Sequence, residues 1–252
     1  MKRLPALSAL AFLFTLCTGA QGGVILSTDF SNGTLYPSGS AMGTVADGLG
    51  TWSFASSARA VGVPDHGRGI RFTGTSFSVY NFSAPVSTGS ITVEFSFIPI
   101  STTSAFDIQL SAGTENSEIG PQLRFGVNAA SDVTYYDGTA FTTIAGASFS
   151  ANELNTFSFT AHVDGVNAGT FDFAVNGSTV ATGLVWRNLD LESLSMLRVR
   201  TPNSAAQSDL VSLTISAEAI PEPETFALLF GAAGCWVLWQ GRRRMAAVRC
   251  HG

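Results

Sequence analysis

The chain has 252 residues, of which 45 % are hydrophobic and 12 % are charged. Residues 21–219 contain no lysine and no cysteine, and their seven arginines against 16 acidic residues leave a balance of −9. This balance argues against nucleic acid as a partner and against an anionic polysaccharide held by charge alone. Because disulfides are excluded from this part, its stability must come from a hydrophobic core.

The first twenty residues have the three parts of a secretory signal peptide. Lys2 and Arg3 precede an apolar run at 4–16, and the small residues at 18–20 suit the binding pocket of a signal peptidase. We predict a signal peptide at 1–20, cut by signal peptidase, and export of the remaining chain. The alternative is a buried N-terminal helix.

Alternation of apolar and polar residues dominates the segment 21–219. In the stretches ITVEFSFIPI (91–100) and TFSFTAHVDG (156–165), apolar residues recur at every second position, as in half-buried β-strands. The pairs Asp137-Gly138 and Asn176-Gly177 are hairpin-turn signals. About a dozen short strands, each with one apolar face, predict one all-β domain, a two-sheet antiparallel sandwich.

The order of strands and turns in this domain is also informative. The run 156–187 reads as strand, glycine-containing loop, strand, tight Asn-Gly turn and strand. It resembles the central meander of concanavalin A-like lectin and glucanase jelly rolls, including laminin-G-like domains. The stretches VILSTDFSNGT and SDLVSLTISA are similar to that family's first and last strands. The resemblance implies a jelly roll in which these two strands pair.

The chain continues with prolines flanking a glutamate, an apolar run and three arginines. The apolar segment 225–241 has 17 residues, roughly 25 Å as a helix, against about 30 Å of hydrocarbon in a bilayer. Arginines that follow a membrane helix stay on the cytoplasmic side, so we predict a single transmembrane helix with its N-terminus outside. A tail at 246–252 follows.

This order of three parts resembles the PEP-CTERM sorting signal of Gram-negative bacteria, over residues 220–245. The resemblance implies cleavage by an exosortase, transient anchoring in the inner membrane, and delivery to the cell surface or extracellular matrix. A permanent single-span anchor is the alternative. The residues that we assign to sorting and processing are Pro221, Glu222, Pro223, Arg242, Arg243 and Arg244.

Catalytic patterns are missing from the sequence. Glucanases of this fold carry Glu-x-Asp-x-x-Glu on one strand, and this chain has no such pattern; its nearest acidic pair is Glu115 and Glu118, in a loop flanked by glycines. His162 shares a strand face with Asp164, but no Gly-x-Ser-x-Gly nucleophile motif occurs. We therefore expect no enzymatic activity, and keep a glycan-active enzyme as the alternative.

The polar faces of the central strands offer the best candidate for a ligand site. If these strands belong to the concave sheet, their polar side chains line a shallow groove. A sugar site also needs an exposed aromatic ring, and strand alternation points one of Tyr135 and Tyr136 outward. Trp52 and Trp186 are the alternatives, although a lone tryptophan in such a domain is more often part of the core. The predicted ligand-binding residues are Glu94, Arg124, Thr160, His162 and Asp172.

A structural calcium ion is the single cofactor that the sequence suggests. Asp29 and Asp209 lie near the beginnings of the first and last strands, which the predicted fold makes neighbours. Carboxylate oxygens are suitable ligands for Ca²⁺. The alternative is that both aspartates cap turns.

Together these patterns predict an exported bacterial surface or matrix protein that is not an enzyme. Its expected role is to bind glycans or to serve as a structural component within exopolysaccharide. Its expected partners are signal peptidase, exosortase and extracellular polysaccharide.

Overall fold

The computed structural model describes residues 23–39, 41–100, 106–126, 131–202 and 206–218. They belong to one compact unit, Gly22–Glu218. The predicted signal peptide and the entire sorting segment lie outside the described residues. Within the described part of the chain, no helix is long and apolar enough to cross a membrane.

The described residues form sixteen β-strands and two short 3₁₀ turns, Asn116–Glu118 and Gly165–Asn167. In chain order the strands are β1 (Gly23–Thr28), β2 (Thr44–Ala46), β3 (Gly50–Ser53), β4 (Arg59–Val63), β5 (Gly67–Thr73), β6 (Ser78–Val86), β7 (Ser90–Pro99), β8 (Phe106–Ser111), β9 (Ile119–Phe125), β10 (Asp132–Tyr136), β11 (Phe141–Ser148), β12 (Asn155–His162), β13 (Thr170–Val175), β14 (Ser178–Val185), β15 (Leu194–Arg200) and β16 (Gln207–Glu218).

These strands form two eight-stranded sheets. The first sheet has the order β14-β13-β12-β7-β16-β5-β4, with β1 also paired to β16. The second has the order β11-β10-β9-β8-β15-β6-β3-β2. Neighbouring strands within each sheet are antiparallel. The predicted all-β, two-sheet antiparallel sandwich is therefore confirmed.

A core of aromatic rings holds the two sheets together. Phe95 and Phe97 of β7 are fully buried, as are Phe106 of β8 and Phe125 of β9. The ring of Phe97 stacks on that of Phe106 with a centroid distance of 4.8 Å, and the centroids of Phe97 and Phe125 are 5.1 Å apart. Burying each such side chain contributes about 1.5–3 kcal/mol to folding. This core replaces the disulfides that the composition excludes.

Both predicted turns connect neighbouring strands. Asn176 and Gly177 have φ angles of 49° and 77° and join β13 to β14, the left-handed pair that a two-residue hairpin requires. Asp137 begins a longer loop, because the Tyr136–Phe141 pair leaves four residues between β10 and β11. The Asp137 carboxylate accepts hydrogen bonds from the backbone N–H groups of Thr139 and Ala140, both at 2.9 Å.

The first and last strands pair, as the sequence predicts. Gly23 lies opposite Ala217, and Thr28 lies opposite Leu213. Strand β16 is twelve residues long. One edge of β16 pairs with β7, and the other edge pairs first with β5 and then with β1. Strand β16 therefore lies in the middle of the first sheet. Because each strand alternates, both sheets have an inner face in the core and an outer face directed away from it.

Candidate functional site

Four of the five predicted ligand residues lie together on the outer face of the first sheet. Thr160 of β12 lies opposite Asp172 of β13, and Glu94 of β7 lies opposite Ser158 of β12. His162 ends β12 on the same face. We name this surface, made of the outward side chains of β7, β12 and β13, the β12 face.

Side chains of the β12 face largely bond with one another. The hydroxyls of Thr92 and Thr160 are 3.0 Å apart, and those of Ser96 and Thr156 are 2.8 Å apart. Beside Thr160, the face carries a depression of about 240 Å³ with a floor of β12, β13 and β14 residues. The hydroxyl groups of Thr92, Thr160, Ser96 and Thr156 thus have partners within the face itself.

His162 has a different acidic partner from the one that strand spacing suggested. Its Nε2 lies 3.2 Å from Oδ2 of Asp172, on the neighbouring strand. Asp164 instead accepts a hydrogen bond from the backbone N–H of Gly89 at 3.0 Å. The other oxygen of Asp172 accepts from the N–H of Gly183 at 2.9 Å. The histidine–aspartate pair is thus a cross-strand contact that tethers β12 to β13.

Placing Arg124 on this face was wrong. Arg124 lies in β9, which pairs with β8 and β10 in the second sheet. Alternation shows which residues of a strand share a face, but it does not show to which sheet the strand belongs. The guanidinium of Arg124 binds Asp107, with Nε–Oδ1 and Nη2–Oδ2 distances of 2.6 and 2.8 Å.

Asp29 and Asp209 are also separated. Asp29 follows β1 and lies level with Ser212, because Thr28 is opposite Leu213. Asp209 is three residues further along β16, roughly 10 Å away. Arg71 donates to both oxygens of Asp209 at 2.8 Å, and this contact raises the pKa of Arg71. The pairing behind the predicted calcium site therefore does not form.

Asp29 has the turn-capping role that was the alternative. It accepts a hydrogen bond from the N–H of Ser31 at 3.0 Å, and the bonds from Ser31 hold the pKa of Asp29 below its usual value. Asp29 also lines a polar cavity of about 530 Å³, together with Asn32, Tyr36 and Asp47. Among the described residues, no group of three or more His, Cys, Asp or Glu side chains could hold a metal ion. Calcium binding stays a prediction.

A second polar surface lies on the outer face of the second sheet. The apolar residues of β8, such as Phe106, belong to the core, so Asp107, Gln109 and Ser111 point outward. We name this surface the β8 face. Its members are Asp107, Gln109 and Ser111 of β8, Gln122 and Arg124 of β9, and Arg198 and Arg200 of β15.

One row of the β8 face is an arginine–aspartate–arginine triad. Asp107 lies opposite Arg124 on one side and Arg200 on the other. Besides its two bonds from Arg124, Asp107 accepts a hydrogen bond from Nε of Arg200 at 3.2 Å. The carboxylate is almost completely buried, whereas the two arginine side chains are 18 % and 25 % exposed. The triad carries a net positive charge and fixes three adjacent strands.

The next row contains polar groups without partners. Gln109 lies opposite Gln122 on one side and Arg198 on the other, and it is only 1 % exposed. Among the described residues, nothing bonds to either amide atom of Gln109, to Oγ of Ser111 or to Nε of Arg198. Each buried group left unpaired costs about 1–3 kcal/mol. Such a concentration of unsatisfied groups is unusual in a native fold and calls for an explanation.

Aromatic rings flank these polar rows. The Cζ atoms of Arg198 and Arg200 lie 4.1 and 4.3 Å from the ring centroid of Phe77, and that of Arg124 lies 4.1 Å from the centroid of Phe141. These distances are those of cation–π contacts. Burial and the nearby Arg200 lower the pKa of Arg198, and the loop acids Glu115 and Glu118 act in the opposite direction.

Tyr136 is the outward tyrosine of β10. Its ring lies 4.5 Å below the guanidinium of Arg187, which also donates to Oε1 of Gln122 at 2.9 Å. The ring of Tyr135 instead packs against Phe171 of the core, with centroids 5.9 Å apart. Trp52 and Trp186 are buried, as expected. The outward aromatic ring thus lies beside the β8 face and not on the β12 face with Glu94, Thr160, His162 and Asp172.

Sequence reasoning missed the β8 face, although a signal was present. FDIQLS in β8 and LRVR in β15 each alternate apolar with polar or charged residues. Four of the seven arginines in 21–219 lie on or beside this face: Arg124, Arg187, Arg198 and Arg200. Chemically, the surface combines planar guanidinium and amide groups with flat rings. This combination suits a ligand that has both apolar faces and many hydroxyl groups.

Comparisons with known proteins show the fold. No protein-family model matches the chain, and no curated protein sequence matches it. A carbohydrate esterase from the Shiga toxin-encoding bacteriophage phi24B is 14 % identical, with a TM-score of 0.53, over 79 % of this chain and 100 % of that chain. A structure of botulinum neurotoxin type C, whose cell entry depends on two ganglioside molecules, is 12 % identical, with a TM-score of 0.52, over 82 % of this chain and 51 % of that chain.

The Emp46p carbohydrate recognition domain, in its metal-free form, is 10 % identical over 68 % of this chain and 89 % of that chain. Its TM-score of 0.45 is too low to support an argument. At these identities the likeness establishes the two-sheet β-sandwich fold and nothing finer.

Proposed function

We propose that this protein is an exported, non-catalytic glycan-binding protein and that the β8 face is its binding surface. The observation that carries the proposal is the buried amide of Gln109, which lies on the outer face of β8 and has no hydrogen-bond partner in the part of the chain that the structure describes. A polar side chain in that position has a free donor and a free acceptor, which a hydroxyl-rich ligand can satisfy.

The surroundings of Gln109 favour a sugar over other polar ligands. A pyranose ring presents an apolar face to an aromatic ring and hydroxyl groups at its edge, so it needs both kinds of partner. Tyr136 and Phe141 supply rings, and Gln122 and the arginines supply hydrogen-bonding groups. The fold supports the same class, because two proteins of similar fold are a carbohydrate esterase and a toxin that interacts with gangliosides.

A binding role is preferred to catalysis because of the carboxylates. Glycoside hydrolysis generally needs two carboxyl groups about 5–10 Å apart across the bond. Asp107 is the only carboxylate among the members of the β8 face, and its oxygens accept from Arg124 and Arg200. In the nearby loop, Glu118 accepts from the N–H of Glu115 at 2.8 Å, in a capping arrangement. Turnover of any glycan by the purified protein would refute the non-catalytic role.

Export and sorting belong to the same proposal. The signal peptide at 1–20 would direct the chain across the inner membrane, and the Pro221–Glu222–Pro223 segment would present it to exosortase. The segment 225–241 would anchor it until cleavage, after which the domain reaches the surface or the extracellular matrix. Intact-mass analysis of surface material tests this: a mature protein that keeps Trp236 to Gly252 would contradict temporary anchoring.

Glycan-array screening of the full chain, purified in detergent, tests the binding role. We expect binding to at least one glycan, and a loss of about tenfold or more in Tyr136→Ala, because each stacked sugar loses its aromatic contact. His162→Ala on the β12 face is the matched control and should bind like the wild type. Loss of binding in His162→Ala alone would move the site to the β12 face.

A further inference from the structure

Two guanidinium groups near the β8 face differ from the others there in that the described part of the chain gives them no ion pair. Asp107 pairs with Arg124 and Arg200. Among the described residues, neither Arg187 nor Arg198 forms an ion pair with a carboxylate. Arg187 contacts the Gln122 amide and the Tyr136 ring. Arg198 donates to the backbone oxygen of Thr114 at 3.2 Å and stacks on Phe77.

Arg198 is the more buried of the two. It is only 9 % exposed, its Nε is buried and has no hydrogen-bond partner in the described ranges, and Arg200 contacts the same aromatic ring. Arginine stays protonated at physiological pH even when its pKa falls, so this charge is present. Removing a charge from water is costly unless a partner of opposite charge compensates it.

The groups beside Arg198 point to the same kind of ligand. Gln109 lies directly opposite Arg198 on the neighbouring strand, and Ser111 follows two residues along β8 on the same face. Opposed residues on antiparallel strands have Cβ atoms about 5 Å apart, so one ligand group can reach both side chains. A guanidinium binds a planar carboxylate with two parallel hydrogen bonds, as Arg71 and Arg124 do elsewhere in this chain.

We propose that the glycan bound on the β8 face is acidic, and that its carboxylate pairs with Arg198 while its hydroxyl groups bond with Gln109 and Ser111. This inference rests on the proposed function. Because Gln109 and Ser111 are buried, the side chains over them must move when the ligand binds, and the ligand's contacts must compensate that rearrangement. Screening limits the range of the chain's overall negative charge to about 10 Å at 0.1 M salt. The loop acids Glu115 and Glu118 do act on Arg198, so the ion pair is not sufficient by itself and the hydrogen bonds with Gln109 and Ser111 must supplement it.

Titration calorimetry of the full chain in detergent tests the inference. The probes are oligosaccharides of galacturonate, alginate and hyaluronan, each compared with its methyl ester and with a neutral glucan oligosaccharide. We expect at least one acid form to bind about tenfold or more tightly than its ester, because charge-assisted bonds are roughly twice as strong as neutral ones. Raising the salt concentration should reduce this preference.

Arg198→Gln should abolish the preference for the acid form, so that the acid and ester forms bind with similar affinity. Arg59→Gln is the matched control, since Arg59 is also an arginine that donates to backbone oxygens, but on the first sheet. It should keep the full preference. If Arg198→Gln fails to fold, as judged by thermal unfolding, Arg198→Lys keeps the charge without the planar fork and should retain a reduced preference.

The outcomes separate the inference from the proposed function. Equal binding of acid and ester forms, or an unchanged preference in Arg198→Gln, overturns the acidic ligand and leaves glycan binding intact. Tighter binding of dextran sulfate than of every carboxylate probe overturns the carboxylate assignment. Failure to bind any glycan, acidic or neutral, overturns both.

Discussion

The two outer faces of this sandwich come from the same alternating pattern and differ in how their polar groups are satisfied. On the β12 face, Thr92 pairs with Thr160 and His162 with Asp172, and the Asp172 side chain is 38 % exposed. On the β8 face, Gln109 and Ser111 are fully buried and have no partner among the described residues. Polar groups that are exposed to solvent or bonded to each other need no ligand. Buried polar groups without partners can still form hydrogen bonds with one.

The difference also concerns charge. The β12 face joins a histidine to an aspartate near solvent, where such a pair contributes little to stability. The β8 face carries a buried aspartate between two arginines, and a third arginine, Arg198, that forms no ion pair with a carboxylate in the described part of the chain. Unpaired buried charge is destabilising, and its retention at one place is typical of functional sites.

The largest contrast in the free energy of unfolding is expected between substitutions of Asp107 and Asp172. Asp107→Asn should lower the free energy of unfolding by about 2–4 kcal/mol, because it leaves Arg124 and Arg200 without a counter-charge; their partial exposure keeps the loss below that of a fully buried pair. Asp172→Asn on the β12 face should cost less than about 1 kcal/mol. Urea unfolding of both variants measures the difference. Similar losses in the two would remove the distinction between the faces.

A smaller effect of opposite sign is expected at Gln109. Gln109→Leu should raise the free energy of unfolding by about 1–2 kcal/mol, because an apolar side chain of similar size removes an unsatisfied buried amide. It should weaken glycan binding at the same time. Thr160→Val, which breaks the bond with Thr92, should instead destabilise by about 0.5–1 kcal/mol. Destabilisation by Gln109→Leu would mean that the amide is satisfied in the folded protein.

The smallest effect is a difference between the two hairpins in their response to acid. Hydrogen bonds from Ala140 and Thr139 hold the pKa of Asp137 well below its usual range. A carboxylate with a lowered folded-state pKa stabilises the fold above its unfolded pKa of about 4, and this stabilisation is lost as the pH falls further. The β10–β11 loop should therefore loosen in acid.

Amide hydrogen exchange between pH 5 and pH 2 measures this response. After correction for intrinsic exchange rates, protection of the Thr139 and Ala140 amides should fall, while the Asn176–Gly177 hairpin, whose turn has no acidic residue, should keep its protection. Asp137→Asn should remove the pH dependence. An equal response in both hairpins would indicate global acid unfolding instead.

Much of the fold follows from the sequence because alternation and turn chemistry are local. The alternation at 91–97 and 156–163 determines which side chains enter the core, since side chains in a strand point to opposite faces in turn. Asn176 and Gly177 specify a tight hairpin because both positions need positive φ. The absence of cysteine and the abundance of phenylalanine determine that packed rings stabilise the domain.

The assignment of strands to sheets was decided by the tertiary structure. Strands β7 and β8 follow each other in the chain and both alternate, yet they lie in different sheets. Arg124 was therefore grouped with residues of the other face, and Asp29 was paired with an aspartate that binds Arg71. Pairing between strands that are distant in the chain depends on the packing of the whole core. That packing also determines that Gln109 is buried and that Glu94 is exposed. The local sequence determines which side of a strand is polar. The neighbouring strands determine whether the polar side chains contact solvent, form hydrogen bonds with other side chains, or are buried without a partner.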